Sequence, residues 1–184
     1  MKYVTRKLLK FRPGSEYVGP VRYESRGNPE RECYRNAVKE FEEKAQKPVA
    51  GWIIGPPDEN GYTDIVWHYW NKDNEGRYYD TTPFGGDRWD YDYVKDNEIP
   101  IEVMRLHREG YLKGKPRDIP CLGYQNDKFV IEDLRKKNKC RYNLDRTYSF
   151  ALDPDESVSI KELIKISYLD GEVKVSDTET QIFV

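Results

Sequence analysis

The pattern of this sequence predicts an α+β fold, in which a helix packs on an antiparallel sheet. Three stretches carry that prediction. From Asn28 to about Gln46 the apolar residues recur at helical spacing. From Asp64 to Pro83 β-branched and aromatic residues flank turn chemistry. From Leu163 to Val175 an Asp170-Gly171 pair separates two apolar runs.

Taken in order, residues 2–11 mix Tyr3, Val4, Leu8, Leu9 and Phe11 with basic residues and read as a short strand or edge element. Arg12-Pro13-Gly14-Ser15 is a turn, and Tyr17–Tyr23 is broken by Gly19-Pro20. Asn28 is the expected N-cap of the helix, with Pro29 in its first turn and Pro48 beyond its end. Cys33, Ala37, Phe41 and Ala45 recur every four residues, with Val38 beside them, and are expected to face the core. Lys47–Gly55 reads as a buried strand, and Pro56–Gly61 turns it toward a strand carrying His68. With Lys72–Gly76 as the loop, Asn71 faces Arg77 and His68 faces Asp80. Phe84–Gly123 is rich in Gly, Pro and aromatic residues and reads as irregular loops. A helix is expected over Asp127–Lys137, with Phe129, Val130 and Leu134 inward. Ser159–Leu163 reads as the start of the last hairpin or as one helical turn.

The whole chain, 1–184, is expected to form one domain. Its core lies at about 28–83, a loop-rich elaboration at 84–123 and the C-terminal hairpin region at 157–184. Charged residues make up 35% of the sequence, but the net charge is only −2, which argues against general nucleic-acid binding. Charge is uneven. Phe84–Glu102 holds six acids against Arg88 and Lys95, whereas Arg135–Arg141 is wholly basic. Three cysteines, Cys33, Cys121 and Cys140, cannot all pair within one chain, so a reducing cytoplasm is expected. No signal-peptide pattern follows the basic start, and no stretch approaches the roughly 20 apolar residues of a membrane span.

Cys33 near a helix N-terminus, His68 in a strand and Asp80 in the next strand supply the residue types of a nucleophilic triad. A thiolate attacks, His takes and returns the proton, and Asp orients the His. Alone, Cys33 reads first as a small core residue, and His68–Asp80 as a structural cross-strand pair. As an ordered set of three they favour catalysis, because each predicts where the others stand. Asn36, one turn further along the helix, reads either as an oxyanion or substrate donor or as a solvated polar residue. Trp70 reads as a cleft wall or, with Trp52, as core.

The order Cys33-x-x-Asn36-Ala37, Gly51-Trp52, His68-x-Trp70, Gly76 and Asp80-x-Thr82 resembles the transglutaminase-like and NlpC/P60-like cysteine peptidase superfamily, in particular its small phage and bacterial members. The resemblance covers residues 28–83. It implies a papain-like core whose Cys-His-Asp triad acts on an amide or thioester bond of a protein or peptide substrate, without a cofactor. Water as acceptor gives peptidase or deamidase chemistry, and an amine gives transglutamination. The alternative is an interaction protein on the same fold, binding a host protein through the aromatic and acidic segment Phe84–Glu102, with Trp89, Tyr91 and Tyr93. Cys140, among Lys137, Lys139 and Arg141, reads as a surface thiol, and His107 as a surface or loop histidine. Two histidines and three scattered cysteines lack metal-ligand spacing.

Overall fold

The computed structural model describes residues 1–30, 32–83, 90–99, 122–132, 148–160 and 162–163. They form a mixed helix and strand structure. Two helices, α1 (Tyr3–Phe11) and α2 (Cys33–Lys44), accompany a nine-stranded sheet. The strands are β1 (Ser15–Gly19), β2 (Arg22–Tyr23), β3 (Lys47–Pro57), β4 (Thr63–Lys72), β5 (Tyr78–Asp80), β6 (Asp92–Asp96), β7 (Leu122–Gln125), β8 (Lys128–Glu132) and β9 (Tyr148–Leu152). Their order is β1-β6-β3-β4-β7-β8-β9, with β5 paired to β4 and β2 to β5. Every pairing is antiparallel except β2 with β5.

The sheet curls at one end. β1 pairs with β6 and β2 pairs with β5, and the two are joined only by Pro20 and Val21. One continuous segment therefore links both margins of the run β6-β3-β4-β5 and draws it toward a barrel. Inside lie Val21, Val49, Ile53, Trp70 and Tyr93. The larger cluster occupies the other face, where Leu8, Phe11 and Ala37 of the helices meet Ala50, Trp52, Ile54, Ile65 and Tyr69. β3 is buried on both faces, which accounts for its near-continuous apolar run. At Gly51 a Cβ would come within 2.0 Å of the Val94 carbonyl oxygen and 2.7 Å of the Trp70 ring. Only glycine permits that close stacking.

Several expectations are corrected. Residues 3–11 form a helix whose Leu8 and Phe11 enter the core. α2 begins at Cys33 rather than at Asn28, with Glu32 at its N-cap. Its inward residues are Asn36, Ala37 and Glu40, while Phe41 is 52% exposed. A four-residue repeat advances 400° on a helix of 100° per residue, so by Phe41 the stripe has drifted off the core face. Asp127 lies in a turn and Lys128–Glu132 form β8, so no helix starts there. Asp92–Asp96, within the stretch expected to be loops, is a strand between β1 and β3. The core extends well beyond 28–83, taking in Val94, Leu122, Phe129, Ile160 and Leu163. Of the two forms expected near Ser159, the helical one is found, with the Leu163 amide donating to the Ser159 carbonyl at 3.0 Å. The expected hairpin beyond Leu163, together with Trp89, His107, Cys121 and Cys140, lies outside the described residues.

Candidate active site

The β4–β5 connection is tighter than a five-residue loop. Asp73 accepts from the Glu75 and Arg77 amides at 2.9 and 2.8 Å, and Gly76 takes φ +84°. That closes a short turn of the kind in which a left-handed glycine ends the loop. Asn71 consequently pairs with Tyr79, not with Arg77. The register is displaced by two residues, which preserves the side-chain face. Extending the ladder one step sets Asp80 opposite Trp70, and His68 is its diagonal neighbour on the same face. Diagonal neighbours are within reach of long side chains. Here the His68 Nε2 to Asp80 Oδ2 distance is 2.7 Å.

Asp80 is fully buried and held at both oxygens. Oδ1 accepts from the Thr82 amide at 2.8 Å, and Oδ2 accepts from His68 and from the Tyr93 hydroxyl, also at 2.8 Å. Burial works against its charge, yet His68, the Thr82 N–H and the Tyr93 hydroxyl hold the carboxyl below its ordinary range. An ionised carboxylate only accepts, so the proton in the His68–Asp80 bond belongs to Nε2. Nδ1 is then the nitrogen able to meet Cys33, whose side chain also hydrogen-bonds His68. Burial pulls the imidazole toward its neutral form. The Asp80 carboxylate and the Cys33 sulfur outweigh that by charge and hydrogen bonding, and push His68 from 6.5 up to about 10.

Cys33 is a free, partly exposed thiol at the first residue of α2. Its helix is placed by polar ties as well as by Ala37, Tyr34 and Val38 packed on the core. The Asn36 amide donates to the Pro29 carbonyl at 3.0 Å and to the Thr82 hydroxyl at 3.1 Å. Asn71 donates to the Ala37 carbonyl at 2.9 Å, and the Tyr79 hydroxyl donates to Glu40 at 3.0 Å. The chain just after Asp80 is thus bound to the first turn of α2, and this brings Cys33 to His68. Asn36 is only 2% exposed, so it is neither solvated nor, with both amide hydrogens engaged, an oxyanion donor. It pins the helix. Trp70 is fully buried, stacked on His68 at 6.3 Å between centroids, and so backs the imidazole from inside instead of walling a cleft. Trp52 is core, with its indole N–H on Asp96 at 2.8 Å.

The structure therefore brings Cys33, His68 and Asp80 together and sets Asn36 and Trp70 in supporting places. Tyr93, expected on an aromatic binding surface, is instead fully buried on β6 and donates its hydroxyl to Asp80. Nothing in its local sequence signals that partner, because the contact depends on how far the sheet curls. Along β4 the second-side partners are Thr63–Ile65 with β7 and Asn71–Lys72 with β5. A groove of about 520 Å³ lies elsewhere, lined by Lys2, Tyr3, Pro56, Pro57 and Tyr124, and none of the three clustered residues borders it. Among the described residues no group of His, Cys, Asp and Glu could hold a metal ion, and no helix is long and apolar enough to cross a membrane.

No family model, no curated protein and no solved structure matches the chain.

Proposed function

We propose that this protein is a cysteine-dependent hydrolase or acyltransferase of the papain-like and transglutaminase-like kind, acting on an amide or thioester bond of a protein or peptide. The observation that carries this reading is a His68 imidazole held between the buried Asp80 carboxylate and the Cys33 thiol at a helix start. A structural His–Asp pair has no need of a partly exposed thiol on its second nitrogen.

In the proposed cycle Cys33 gives its proton to His68, and Sγ attacks the substrate carbonyl carbon. The carbonyl π electrons move to oxygen. The first-turn N–H groups of α2, which lack intrahelical acceptors, are suited to meet that oxyanion. Collapse breaks the bond to the leaving amine or thiol, which takes the proton from His68, and leaves an S-acyl enzyme. His68 then removes a proton from water or an amine as it attacks the thioester. The second collapse releases acid or amide and restores the Cys33 thiol. Asp80 keeps Nε2 protonated throughout, so that Nδ1 faces sulfur. A reducing cytoplasm suits a nucleophile that must stay a thiol.

The test is to incubate the protein with a small acyl thioester and to follow acyl transfer to the Cys33 peptide by mass spectrometry. Rapid acylation of Cys33, abolished by Cys33→Ser and slowed at least about tenfold by His68→Ala, is expected. Equal acylation with and without His68 would leave Cys33 an ordinary thiol. Adding a primary amine separates the two acceptors, since a new amide product marks a transferase.

A further inference from the structure

Asp80 is bound more heavily than orienting one histidine requires. Its Oδ2 accepts from two side chains at once, His68 Nε2 at 2.7 Å and the Tyr93 hydroxyl at 2.8 Å. Tyr93 sits on β6, three strand positions from β5 in the order β6-β3-β4-β5. In a flat sheet those strands would lie roughly 14 Å apart. Only the curl of the sheet brings the hydroxyl to the carboxylate. The ring is held edge-on against Trp70 at 5.4 Å and against His68 at 6.1 Å, so its direction is fixed by packing.

We infer that Tyr93 is a positioning residue of the Cys33–His68–Asp80 site, sharing Oδ2 with His68 and so limiting the negative charge that Asp80 presents to the imidazole. This rests on the proposed function for its purpose, though not for its geometry. His68 must return its proton to the leaving group, and an imidazolium gripped too tightly is a poor acid. A hydroxyl donated to the same oxygen draws charge away from the imidazolium and loosens that grip. The titratable groups facing His68 are Asp80 from β5, Tyr93 from β6 and Cys33 from α2. Of these Tyr93 can be stripped of its hydroxyl with its ring left in place.

The experiment is an NMR titration of the His68 ring in wild type and Tyr93→Phe, with His68 assigned through His68→Gln. Loss of the hydroxyl should raise the His68 midpoint by about half a unit to one unit. A folded Tyr93→Phe protein whose midpoint is unchanged or lowered overturns the inference, since a purely structural tyrosine would leave it in place. Should Tyr93→Phe fold poorly, 3-fluorotyrosine placed at position 93 serves instead. It strengthens the donor without removing it and should lower the midpoint, and an unchanged or raised midpoint overturns the inference. The titration needs no turnover. Failure of Cys33 to be acylated would therefore sink the proposed function while leaving this result to be read separately.

Discussion

Two buried ionic clusters lie in one sheet and differ in kind. In the first, Arg12 and Asp96 are both wholly buried, 3.0 Å apart. Asp96 also accepts from the Trp52 indole and the Glu98 amide. Arg12 also donates to Glu98 and to the Val158 carbonyl. A guanidinium is a permanent cation, and here its fork ties α1's end to β6 and to Val158. In the second cluster the cation is a histidine whose charge depends on its neighbours, and its far side meets a partly exposed thiol. The first cluster fixes structure. The second carries a titratable cation. Burial of charge alone therefore does not mark a site. A titratable member with an accessible reactive neighbour does.

The largest expected effect falls at Arg12. Arg12→Ala leaves Asp96 buried and unpaired and should cost about 3–5 kcal/mol of stability in denaturant unfolding. In the fraction that remains folded, Cys33 should react as in wild type. Coupled loss of Cys33 reactivity would mean that the two clusters act as one.

Stability against pH separates them next. The His68 value is raised from 6.5 to about 10, so the protonated imidazole's contribution is complete below 6.5 and is lost as pH climbs toward 10. Asp80 is lowered, so its contribution is present above the ordinary carboxylate range and disappears as pH falls through its depressed value. Thermal unfolding should therefore show a declining alkaline limb that His68→Gln flattens and that Arg12→Ala, though it lowers the whole curve, does not.

Gly51 lies behind the second cluster, against the Trp70 ring. A methyl there meets the backbone of Val94 and Lys95, which cannot rotate away, as well as the Trp70 ring behind His68. Gly51→Ala should lose about 3 kcal/mol and also disturb the His68 signal in NMR spectra. The smallest change is Asn36→Ala. Loss of its bonds to Pro29 and Thr82 should cost about 2 kcal/mol. It should also lower Cys33 reactivity severalfold as the helix start loosens, which kinetic labelling will reveal.

Much of this was legible in the sequence, unevenly. The α+β class, a strand over Lys47–Gly55, which the structure extends to Pro57, and the closeness of His68 to Asp80 could be read from local chemistry, because β-branched runs and a Gly76 turn announce themselves. The register was off by two residues, since the Asx-type bonding of Asp73 shortened the loop. An even error spared the face. A repeat of four misassigned Phe41, and polar Asn36 and Glu40 turned inward because their partners, Thr82 and Tyr79, come from distant strands. Tyr93 was illegible for the same reason at longer range. Its role depends on the barrel's curl, and curl is decided by β1 and β2 clasping opposite margins.

The proposed function requires that Cys33 and His68 share a proton. Iodoacetamide labelling over a pH series, read peptide by peptide, tests it directly, with Cys121 and Cys140 as internal controls in the same digest. The account predicts that Cys33 alkylates faster than an ordinary thiol at neutral pH. His68→Ala should slow that strongly, and Asp80→Asn should slow it less, because the base remains while its orientation is lost. A Cys33 that stays unlabelled in folded protein, or labels identically without His68, would contradict the account.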